Sequence, residues 1–125
     1  IMASELRVNT LKDASGNNSI ATSFVANGSA KAHITGSDAA AIVSSQSFNI
    51  SSGTDHGTGD YSYAFTSNLD NASCSGAVSP HGGGLRMATH STVRSTTSVF
   101  AFYVATDTST LSDHGHSGAA FGDLA

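Results

Sequence analysis

Apolar side chains return at every second position in several short stretches, and polar glycine-rich segments separate them. Phe48 and Ile50 have this spacing, and so do Tyr61, Tyr63 and Phe65, the alternation of half-buried β-strands. Gly53, Asp55, Gly57, Gly59 and Asp60 lie between and read as turn punctuation, so Ser47 to Phe65 is a predicted hairpin. Upstream, Leu6, Val8 and Leu11 precede the turn signal Ala-Ser-Gly-Asn-Asn. Too few to bury themselves, these residues predict a short strand or extended arm that lies on the main body or on another subunit. Phe24 to Ile34 predicts two strands split by Asn27-Gly28, a favoured hairpin dipeptide.

A small Gly-Ser-Asp turn leads to a strand predicted over Ala39 to Ile50; Asp38 to Val43 has a helical start but soon meets β-branched and serine residues. Ala72 to Ser79, Leu85 to Val93, Val99 to Ala105 and His116 to Phe121 complete the series, with the breaker Pro80 to Gly84 after the first of them. Val99 to Val104 is nearly continuous in apolar and aromatic residues, which implies burial on both faces. About seven or eight short strands with frequent turns describe an all-β fold, an antiparallel β-sandwich of jelly-roll-like kind. Residues 1–22 form the N-terminal arm in this scheme and 23–125 the sandwich domain.

Composition sharpens the surface. Only 11% of the 125 residues are charged, while 22 serines and 13 threonines supply the polarity. Such a surface suits strands and turns, or a face covered by copies of itself. Arg7, Lys12, Lys31, Arg86 and Arg94 are scattered, which argues against nucleic-acid binding. No run has the length of a membrane span and no signal-peptide layout opens the chain, so no membrane insertion is expected. Cys74 stands alone among small residues and reads as a buried strand position without an internal disulfide.

Met2-Ala-Ser-Glu-Leu-Arg-Val-Asn-Thr-Leu-Lys-Asp-Ala-Ser-Gly-Asn17 resembles the starts of tail-fibre-like virion proteins of marine and aquatic bacteriophages. The resemblance continues through Phe24 to His33, Ser47 to Ile50, Gly57 to Tyr61 and Phe121 to Ala125. It implies a non-enzymatic homotrimer at the surface of a phage particle, made in host cytoplasm and assembled with other virion proteins. A small tail-fibre or receptor-binding protein that touches a host glycan or other receptor is the first reading. A capsid decoration protein that cements the head is the alternative, and a glycan-degrading spike enzyme ranks last.

Candidate chemistry follows from a few residues. His114 and His116, two apart, would project from one face if extended as a strand; the alternative is a pair of solvent-facing histidines in an Asp-His-Gly-His-Ser-Gly loop. On a trimer axis such pairs could hold one transition metal, as His-x-His pairs do in trimeric phage fibres; otherwise no cofactor is expected. His81, Gly82, Gly83 and Asp113 fall in the loops expected to meet a receptor, Pro80 to Gly84 and Asp107 to His116, and Leu6, Val8 and Leu11 in the assembly arm. Asp113 beside His114 invites a hydrolytic triad, but no Gly-x-Ser-x-Gly elbow accompanies it.

Overall fold

A computed structural model describes residues 3–72, 74–82, 84–91 and 95–125. The chain is an antiparallel β-sandwich preceded by a small hairpin and a short helix. Strands β1 (Thr10–Lys12) and β2 (Ser19–Ala21) form the hairpin, and helix α1 (Thr22–Gly28) follows directly. The sandwich contains β3 (Ala32–Gly36), β4 (Ile50–Gly57), β5 (Asp60–Phe65), β6 (Ser75–Pro80), β7 (Met87–His90), β8 (Val99–Ala105) and β9 (His116–Phe121). One sheet has the order β4-β5-β8-β7 and the other β3-β9-β6.

The aromatic load sits on one sheet. Tyr61 lies opposite Phe102 and Tyr63 opposite Phe100, so the alternating positions of β5 and β8 stack into one inner face. With Phe65 and Val104 they are buried against Ala32, Ile34, Ala120 and His116 of the smaller sheet. Large rings on one side and small residues on the other let the layers interdigitate. Burying each such ring contributes roughly 1.5–3 kcal/mol. The continuous apolar run over β8 has its predicted cause, since Ala101 on the outer face is also buried.

Three expectations are corrected. Asn27-Gly28 does not turn a hairpin but ends α1, where the Lys31 ammonium bonds the Ala26 and Ser29 carbonyls. A cation at the free carbonyls of a helix end is favourable, and only Ala32 onward pairs as strand. Ala39 to Ile50 is not a strand either. Ser37 Oγ accepts from the Ala39 and Ala41 amides, which winds a tight turn, and a 3-10 turn follows at Ser44–Gln46. Single bridges, Gly36 to Ile42 and His33 to Phe48, tie this irregular segment along β3 and cover that sheet edge.

The third correction concerns the opening hairpin. Its glycine-rich middle is mostly strand, because β4 runs on to Gly57 and the turn narrows to Thr58-Gly59. Gly59 is buried with φ of 66°, and an added Cβ would lie 2.3 Å from the Val104 carbonyl oxygen. Only glycine meets both conditions. Cys74 is buried as expected, just ahead of β6. The end expected at Val93 for the seventh strand lies outside the described residues.

Candidate functional site

His81, Asp113, His114 and His116 lie where β5 starts, β6 ends and β9 starts. His116 is the first residue of β9 and is fully buried. Its Nδ1 lies 2.8 Å from the His114 carbonyl oxygen, which can only accept, so Nδ1 carries the proton. Nε2 is therefore the acceptor for the Tyr63 hydroxyl at 2.5 Å. Tyr61 and Phe102 pack on the same ring, with centroids 4.5 Å and 4.9 Å away. Burial holds the imidazole below its ordinary pKa, against the smaller opposing pull of the His114 carbonyl hydrogen bond. Burial likewise raises the Tyr63 phenol well above its usual range.

The packing leaves no slack. A Cβ on Gly36 would lie 2.2 Å from the Tyr63 hydroxyl oxygen and 2.9 Å from His116 Nε2. Beside this pair, Asp113 Oδ1 accepts from the Gly59 amide at 2.7 Å and from the Tyr61 hydroxyl at 3.1 Å. The Tyr61 proton is shared with the Asp38 carbonyl oxygen at 2.9 Å. Burial first, then the Asp113 hydrogen bond, raises the Tyr61 phenol above its usual range. One carboxylate thus fastens the β4–β5 turn to the loop before β9.

His114 faces elsewhere. Its Nε2 accepts from Arg86 Nε at 2.7 Å and lies 3.0 Å from Ser112 Oγ. The expectation that His114 and His116 project together is therefore not met: His114 precedes the strand, and both ring nitrogens of His116 are engaged inside the chain. Among the described residues no group of three or more His, Cys, Asp or Glu is placed to hold a metal ion. His81 is exposed, its Nε2 2.8 Å from Ser117 Oγ, and its amide donates to the Gly115 carbonyl. Gly82 is exposed at a φ of 150° with His114 Nδ1 nearby, and Gly83 lies outside the described residues.

No protein-family model, curated protein or solved structure matches this chain. Three further histidine–serine contacts resemble the one at His81 in form: His56 to Ser62 and His90 to Ser95, each at 2.8 Å, and Ser112 to His114. Ser95 Oγ also accepts from the Ala101 amide, which ties it into the sheet edge. These pairs fasten strands and loops to one another.

The assembly-arm residues are on the outside. Leu6 is 80% exposed, and Val8 and Leu11 are exposed as well, joined by Ile20, Phe24 and Val25 of β2 and α1. Alternation in a two-stranded hairpin puts apolar groups outward because it has no second layer to bury them. No helix among the described residues is long and apolar enough to cross a membrane. The loop from Asp107 to His116, expected to meet a receptor, walls a hollow whose strand side on the outer face of β7 and β8, around Tyr103, the sequence did not indicate. Strand alternation alone could have pointed to it, since Tyr103 breaks the pattern of small outward residues on β8.

Proposed function

We propose that this chain is a structural protein of a phage particle surface, a small homotrimer of the tail-fibre or receptor-binding kind. The observation that carries the reading is the split between a well-filled sandwich and an N-terminal segment, through α1, that exposes six large apolar residues. Large apolar side chains left exposed along one segment suit a protein contact. In this reading the arm joins copies or anchors them to other virion proteins, and the rigid sandwich carries loops and faces to a host glycan. Weak single contacts gain strength from several copies. The resemblance of the N-terminal residues to fibre starts supports the same assignment.

Immunogold labelling of intact particles with antibody against the chain tests it. Label on the tail, with adsorption lost on deletion, is the expected result. Label confined to the head, with leaky capsids and normal adsorption, would replace the fibre role with capsid decoration; unlabelled particles would refute both. Sedimentation of the purified protein as a monomer at micromolar concentration would refute the trimer.

A further inference from the structure

We propose that the hollow around Tyr103 on the outer face of the four-stranded sheet binds a neutral saccharide. The inference deepens the adhesion reading and rests on it. The hollow has a volume of about 440 Å³ and is lined by Met87, Thr89, Tyr103, Ala105, Asp107, Thr108 and Leu111. That volume falls in the range of small-ligand sites, roughly 300–1,000 Å³.

Tyr103 lies directly across from Thr89 in the β7–β8 ladder, half-buried, so its ring and the Thr89 hydroxyl share the outer face. The Tyr103 hydroxyl makes no hydrogen bond to the described residues, which leaves a donor and an acceptor beside an aromatic face. A pyranose ring has complementary chemistry, with a C–H face to lie on the aromatic ring and hydroxyls at its edge. Met87 and Leu111, both more than two-fifths exposed, add apolar walls. Thr89, Thr108 and Asp107 offer hydroxyl and carboxylate partners.

The loop that closes the hollow is already shaped. Leu111 bridges back to Ala105, the Thr106 amide donates to the Thr110 carbonyl at 3.0 Å, and the Ser112 amide to the Val104 carbonyl at 3.1 Å. Asp107 Oδ1 accepts from the Ser109 and Thr110 amides, each at 2.8 Å. Walls held in place before binding reduce the ordering cost of association. These bonds, the Ser109 amide foremost, also lower the Asp107 pKa and keep it ionised. Asp107 is the one ionic group of the lining, so a sugar acid would meet a like charge and a neutral sugar would not.

The test is a printed array of neutral and acidic oligosaccharides probed with the full chain, followed by calorimetry on the tightest neutral hit. Tyr103→Ala should weaken binding about tenfold or more, as loss of a central aromatic contact does, while Tyr103→Phe keeps most of it. Thr108→Trp, at an exposed loop position, should block the hollow without disturbing the sheet, and a thermal melt checks each variant's fold. Absence of neutral hits, equal capture of acidic sugars, or wild-type binding by folded Thr108→Trp would overturn the site. Particles that carry a chain blind to neutral sugars would refute the site and leave the virion reading intact. A sugar-binding chain absent from particles would do the reverse.

Discussion

Replacing Tyr63 with Phe removes one oxygen atom from the interior and leaves the ring where it is. In the native protein that hydroxyl donates to His116 Nε2, and both residues are fully buried. Their immediate surroundings are the Phe102 and Tyr61 rings and the Gly36 backbone, so Nε2 has no water to turn to. A buried acceptor left without its donor costs about 1–3 kcal/mol. With a urea m-value of roughly 1–3 kcal/mol per molar, the midpoint should fall by about 1 M. Equilibrium urea unfolding followed by tyrosine fluorescence and far-ultraviolet circular dichroism measures it, and an unchanged m-value shows that the loss belongs to the folded state. Combining Tyr63→Phe with His116→Leu supplies the internal control. Once the imidazole is gone the hydroxyl has no acceptor to satisfy, so the substitution should cost less there than alone. A loss below about 0.5 kcal/mol in the single variant, within the range of ordinary surface substitutions, would refute the reasoning.

Two histidines set a pH dependence. His116 and His90 both have folded pKa values depressed by burial from 6.5, so the unfolded chain binds protons first as pH falls below about 6.5. Stability is full above that value and declines below it until the folded-state pKa values are reached, by up to about 1.4 kcal/mol per pH unit for each fully linked proton. Urea midpoints flat between pH 7 and 5 would contradict it. Gly36→Ala should destabilise by about 1–3 kcal/mol, because the added methyl must displace the Tyr63 hydroxyl; a thermal melt matching the wild type would show that the sheets yield there. Asp113→Ala removes the acceptor shared by the buried Gly59 amide and Tyr61, and should cost about 1–3 kcal/mol. Hydrogen exchange over residues 57–61 should quicken in that variant, and unchanged exchange would rule out the proposed fastening.

Period-two patterning put the inner rings of β5 on one face and a continuous apolar run placed β8 at its observed bounds, because both are local properties of an extended chain. The same local logic misjudged Asn27-Gly28 and the stretch from Ala39 to Ile50. There competing local bonds decided the outcome: Lys31 caps the end of α1 and Ser37 Oγ winds a turn, so the backbone was satisfied without a strand partner. Residues near the site were legible as types and not as roles. His114 and His116 stood out by spacing, yet nothing local reveals that one imidazole faces Arg86 and the other Tyr63.

By itself, then, the sequence determined an all-β chain of short alternating strands, an apolar N-terminal segment without means to bury itself, and a surface of hydroxyls instead of charges. Tertiary structure alone decided that His116 is a neutral core residue, that Asp113 fastens a turn, and that Tyr103 floors a hollow. The physical reason is range. Strand alternation and turn chemistry act between residues a few positions apart, whereas the bond from Asp113 to Gly59 and that from Tyr63 to His116 join positions more than fifty residues apart. Such contacts exist only once two sheets have closed on each other.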